Sequence, residues 1–103
     1  MRTMLKVSLE VEAGNEAIQS GRLGEIIGMV SEMIKPEASY FFTEQGRRTA
    51  LFVFDMKDAS QIPPIAEIFF TELKAEVQFT PVMNKEDLQS GLQASAHLHH
   101  AAV

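Results

Sequence analysis

The chain has 103 residues and a net charge of −5, from nine Lys and Arg against fourteen Asp and Glu. That length suits one domain, and the acidic balance with scattered cations argues against a nucleic-acid partner, which needs a basic face. With no Cys, disulfides, thiolate catalysis, Cys-ligated zinc and iron–sulfur clusters are excluded.

The first element alternates. Thr3, Leu5, Val7, Leu9 and Val11 point one way, and Met4, Lys6, Ser8 and Glu10 the other. Period two over this span predicts a strand with one buried face. Ala13-Gly14-Asn15 breaks it, with Asn15 as the expected N-cap of a helix over Glu16 to Lys35. The apolar positions of that helix are Ile18, Leu23, Ile26, Ile27, Val30, Met33 and Ile34, and Pro36 ends it. Ala17, Gly21, Gly24 and Gly28 form a second stripe. Helical Gly costs about 1 kcal/mol relative to Ala, so the expected reason is close packing on a neighbour. The glycines start inside the helix, so they are not the strand-to-helix fingerprint of a dinucleotide site.

Ala38 to Glu44 reads as a strand, Gln45-Gly46 as a turn and Arg47 to Met56 as a returning strand. Both faces of this hairpin are apolar. Tyr40, Phe42, Leu51 and Val53 share one face, and Phe41, Phe52 and Phe54 the other. The pattern alone leaves open which face meets the helices. Asp58 or Ser60 caps a second helix with Pro63-Pro64 in its first turn and Ile62, Ile65, Ala66, Phe69, Phe70 and Leu73 on its apolar side. Lys74 to Met83 returns to strand period. Asn84 then caps a short helix from Lys85 to about Leu92. Gln93 to Val103 carries no Asp, Glu, Lys or Arg and reads as a frayed or disordered tail.

The order β-α-β-β-α-β plus a short C-terminal helix predicts an α+β, ferredoxin-like domain over residues 1–92, with 93–103 outside it. Its four-stranded antiparallel sheet has expected order 4-1-3-2 and two helices on one face. The other face then carries an apolar half beside Met4, Lys6, Ser8, Glu10, Glu76, Gln78 and Thr80. An uncovered apolar half-face marks a partner site, and a second copy packed through this non-helix face is the simplest cover.

Two segments carry a family likeness. Leu51-Phe52-Val53-Phe54-Asp55-Met56, then a helix, then Glu76-Val77-Gln78-Phe79-Thr80-Pro81-Val82-Met83, is similar to the second half of muconolactone isomerases. The layout resembles the dimeric α/β-barrel superfamily. Lys35-Pro36-Glu37-Ala38 and the run from Pro81 to Leu88 also resemble small bacterial proteins of unassigned function. The resemblance implies two ferredoxin-like sheets paired into a barrel, with no cofactor, and it carries over no catalytic residue.

The expected activity is binding of a small apolar or weakly anionic molecule between the sheets of a homodimer. The candidate ligand-binding residues are Lys6, Ser8, Glu10, Tyr40, Glu76 and Gln78. The alternative is a cofactor-free isomerase or monooxygenase acting on a hydrophobic ring compound, with carboxylates, Lys6 or Tyr40 moving protons. The plain reading of Lys6, Glu10 and Glu76 is a cross-strand charge ladder. Arg47 and Arg48 beside the turn read as solvated charges, although one could reach an anionic ligand. His97, His99 and His100 lack the fixed second shell of a metal site, so no metal is expected. No run approaches the ~20 apolar residues of a membrane span, and the charge at Arg2 and Lys6 interrupts any leader-like core. The chain is therefore expected to be soluble and cytoplasmic.

Overall fold

A computed structural model describes residues 1–102. Its order is β1 (Arg2–Leu9), α1 (Val11–Ser20), α2 (Arg22–Ile34), β2 (Ala38–Glu44), β3 (Arg47–Asp55), a 3₁₀ turn (Ala59–Gln61), α3 (Ile62–Leu73), β4 (Ala75–Pro81) and α4 (Lys85–Ala102). The sheet is antiparallel with spatial order β2-β3-β1-β4, which is the expected 4-1-3-2 read from the other side. It stays open, with β2 and β4 as free edges.

Alternation sets which face is dry. Leu5, Val7 and Leu9 of β1 and Ala50, Phe52 and Phe54 of β3 are buried against Ile26, Val30 and Ile34 of α2 and Ile65, Phe69 and Leu73 of α3. Val77 and Phe79 of β4 pack half-buried on the same cluster. The structure thus decides the hairpin question: the Phe52 and Phe54 face meets the helices, and Leu51 and Val53 face out with Tyr40 and Phe42. The hairpin itself turns on Gln45 (φ 54) and Gly46 (φ 77). Two successive positive φ angles match the right-handed twist of the flanking strands.

The first helical segment corrects the sequence reading. β1 stops at Leu9, and α1 begins at Val11, so Asn15 lies inside a helix rather than capping one. Gly21 then takes a left-handed conformation (φ 80) and ends α1, while α2 starts afresh at Arg22. Glycine, without a Cβ, enters that region at no steric cost. The break rotates α1 relative to α2, which leaves Ile18 exposed instead of in the expected apolar stripe. Met33 is also more exposed than its spacing suggests. The glycine stripe is not a packing seam, because a Cβ at Gly24 or Gly28 would meet open space.

The remaining ends follow local chemistry. α2 stops at Lys35 (φ 47), directly before Pro36. Asp58 accepts from the Ser60 N–H and, with Gln61, forms a capping box at the 3₁₀ turn that leads into α3. That hydrogen bond holds the Asp58 carboxyl below its usual range. Asn84 and Asp87 exchange hydrogen bonds at the start of α4 (2.8 and 3.0 Å), as an N-cap at Asn84 requires. α4 runs on past Leu92, where the periodicity predicts its end. Leu88 and Leu92 are exposed, and the molecule measures 60 × 28 × 20 Å. A helix of 18 residues is about 27 Å long, so α4 accounts for much of that long axis. The side chains of His97, His99 and His100 lie outside the described residues.

Asp55, at the end of β3, accepts from the Met1 amino group (2.7 Å) and from Lys57 (2.5 Å). The Lys57 hydrogen bond first, then that of the Met1 amine, lowers its carboxyl to about 2. The pair ties the start of β1 to the end of β3 at a solvent-exposed corner.

Candidate functional site

Two recesses flank the sheet, one on each face. On the open face, strand register builds rows across the sheet. Gln78, Lys6, Leu51 and Tyr40 form one row, and Glu76, Ser8, Thr49 and Phe42 the next. Lys6, Ser8, Glu76 and Gln78 therefore line a single polar recess, joined by Glu44 and Gln45 from the hairpin. Its charges are mostly spoken for. Lys6 pairs with Glu44, and Glu76 lies 3.6 Å from Arg47. Among the described residues the ladder expected from Lys6, Glu10 and Glu76 does not form: Lys6 reaches across β3 to Glu44 of β2, and Glu76 faces Arg47.

Two candidate residues fall outside that recess. Glu10 lies beyond the end of β1, where it precedes the first residue of α1 and points to solvent. The physical reason is that β1 ends one pleat earlier than its alternation implies. Tyr40 shares the row of Lys6 but sits on the outer strand, 61% exposed.

On the helix face lies a different cavity. The helices stack over β1, β3 and β4 and leave β2 bare, so a cleft opens between α2 and the hairpin. It has a volume of about 340 Å³ and almost entirely apolar walls. Leu9 lies on the floor, Leu23 and Ile27 of α2 form one wall, and Phe41 of β2 the other. Phe69 and Leu73 of α3 close the inner end. Pockets of this size and apolar character commonly take small molecules. Phe41 meets Phe52 edge to face, with ring centroids 6.0 Å apart, yet stays 61% exposed.

Arg48 is the charged member of this lining. Its side chain runs from β3 against α1 and lies where Gly14 would carry a Cβ: that atom would stand 2.8 Å from Nη1. Gly14 is thus the gap through which the guanidinium passes. This explains a glycine inside a helix, where it costs about 1 kcal/mol. Among the described residues Arg48 makes no ion pair, whereas its neighbour Arg47 faces Glu76 across the other side of the sheet. A half-buried guanidinium without a carboxylate, at an apolar cavity, suits the head of an anionic ligand.

The sequence pattern puts the candidate residues on the open face and makes Arg47 and Arg48 solvated hairpin charges, one of them within reach of an anionic ligand. Leu23 and Ile27 were legible as apolar helix positions, but their cleft-facing role depends on the helices leaving β2 uncovered. Among the described residues no group of three or more His, Asp or Glu is placed to hold a metal ion. No helix among them is long and apolar enough to cross a membrane.

No protein-family model, curated protein or solved structure matches this chain. None of these comparisons supports the likeness to muconolactone isomerases; the structure shows a small α+β fold with a four-stranded antiparallel sheet, compatible with a ferredoxin-like layout.

Proposed function

We propose that this chain is a ferredoxin-like domain that binds a small apolar molecule with an anionic head, and that it works as a homodimer. The ligand body lies in the helix-side cleft against Leu23, Ile27 and Phe41, and its carboxylate or similar group meets Arg48. One observation carries this reading: an arginine without a carboxylate partner lines an apolar cleft, and a glycine in α1 makes room for it. Burial of the ligand body supplies the attraction, at roughly 25 cal/mol per Å² of apolar surface. A hydrogen bond between charged partners contributes about 1.5–3 kcal/mol, which fixes orientation and selects anions.

Calorimetric titration with octanoate and with 1-octanol tests it. Octanoate is expected to bind at least about tenfold more tightly than the alcohol, and Arg48→Gln to abolish the difference. Equal binding of both probes to the native chain would contradict the proposal.

A second reading seats the ligand between two copies packed sheet against sheet, which is the dimeric barrel. The observation in its favour is the apolar half of the open face, Tyr40, Phe42, Leu51 and Val53, beside the Lys6 recess. On that reading Lys6→Gln and Gln78→Ala weaken octanoate binding, and Arg48→Gln leaves it unchanged.

A further inference from the structure

β2 is an edge strand with an unusual exposure. Every residue from Ser39 to Glu44 is exposed, and three consecutive aromatics, Tyr40, Phe41 and Phe42, stand among them. One side of its backbone pairs with β3 and the other with nothing. Soluble proteins normally blunt such an edge with charge, proline, a bulge or a covering element. β2 has one charge, Glu44, at its last position, and that carboxylate is engaged by Lys6.

We infer that the outer edge of β2 pairs antiparallel with β2 of a second copy, about a two-fold axis at Phe41, and that the partner's Phe41 closes the open side of the ligand cleft. The sequence of the strand favours a second copy over an unrelated partner because it is self-complementary in this register. Phe41 meets the partner's Phe41, and Tyr40 meets the partner's Phe42 twice over, so three aromatic pairs face each other across the seam. Aromatic cross-strand pairs stabilise a sheet beyond their area. Glu44 falls opposite the partner's Ala38, so no like charges oppose.

The same register decides the geometry at the cleft. Directly opposed residues of an antiparallel pair share a face. Phe41 points to the helix side, so the partner's Phe41 does as well. The two clefts then meet across the seam as one trough, floored by both β2 strands and walled by α2 of each copy. This second half rests on the cleft as the ligand site, whereas the pairing itself does not.

Sedimentation velocity at micromolar concentration gives the test. The native chain is expected to be a dimer, Phe41→Lys a monomer, and Leu51→Lys on the open face still a dimer. Circular dichroism of each variant separates lost pairing from lost folding. Because the chain has no Cys, oxidation of Phe41→Cys offers an independent reading. It is expected to give a covalent dimer, and Leu51→Cys to remain uncoupled. A monomeric native chain, or a dimer lost in Leu51→Lys and kept in folded Phe41→Lys, would overturn the pairing. Tyr40→Lys breaks the same seam from outside the cleft lining, and octanoate affinity is expected to fall severalfold in that monomer. Unchanged affinity in monomeric Tyr40→Lys would remove the partner's Phe41 from the site. Absence of any octanoate preference in the native chain counts instead against the cleft itself.

Discussion

β2 and β4 flank the same sheet, each with seven residues and one unpaired side. β4 alternates Glu76, Gln78 and Thr80 with half-buried Val77 and Phe79 and stops at Pro81. Its outward chemistry is polar, and proline ends its capacity to pair. β2 puts aromatics on both faces and carries no proline. Helices pack over β4 and stop short of β2. One edge is thus finished within a single chain, and the other is built as though more structure joins it. The apolar cleft exists because of that asymmetry: it is the space left where the helix layer ends before the sheet does.

Substitutions that treat the two edges, or the two Phe residues of the β2–β3 contact, as equals should expose the difference. The largest effect is expected from Phe52→Ala. Phe52 is fully buried, and its loss costs about 3–5 kcal/mol in a urea melt. Phe41 touches it, yet Phe41→Ala in dilute protein costs only about 1 kcal/mol, the scale of one aromatic contact. Similar losses for both would mean that β2 is a finished core strand. Next comes Gly14→Ala. It moves the Arg48 guanidinium, so octanoate binding drops about tenfold, while helix propensity gains about 1 kcal/mol and the melt does not suffer. Lower stability together with unchanged binding would show that Gly14 serves packing alone.

Smaller effects are expected away from the asymmetric edge. A chain ending at Leu92 should keep the melting midpoint of the native chain, since α4 projects from the domain and Leu98, the large apolar residue removed with its end, is exposed. A large drop would extend the folded unit beyond residues 1–92. The smallest effect belongs to Asp55. A carboxylate lowered by Lys57 and the Met1 amine stabilises the fold above the ordinary carboxylate range and loses that contribution as pH falls through about 2. Carbon-detected NMR should place its midpoint there, and Lys57→Ala should raise it.

Much of this architecture was legible in the residues. Strict alternation from Thr3 to Leu9 and the Gln45-Gly46 turn dictate two strands and a hairpin, and the element order then gives the sheet order 4-1-3-2. The broken first helix was not legible, because Gly21 sits at helical spacing from Ala17 and Gly28 and only its positive φ reveals a cap. The dry face of the hairpin was undecidable from pattern, since Phe41, Phe52 and Phe54 are no more apolar than Tyr40, Phe42, Leu51 and Val53. The polar recess was partly legible: Lys6, Ser8, Glu76 and Gln78 follow from register, while Glu10 depended on where β1 stops. Arg48 was the hardest to read. A charge two residues past a turn is usually solvated, and its place under α1 depends on a glycine far away in sequence.

The helix-side cleft, with Arg48, is the proposed ligand site. Amide and methyl chemical-shift mapping during an octanoate titration tests it most directly. Perturbations are expected to gather on Leu23, Ile27, Phe41 and Arg48, with the open-face residues Lys6, Ser8 and Gln78 unmoved. Perturbations gathered on Lys6, Ser8, Tyr40 and Gln78 would contradict it.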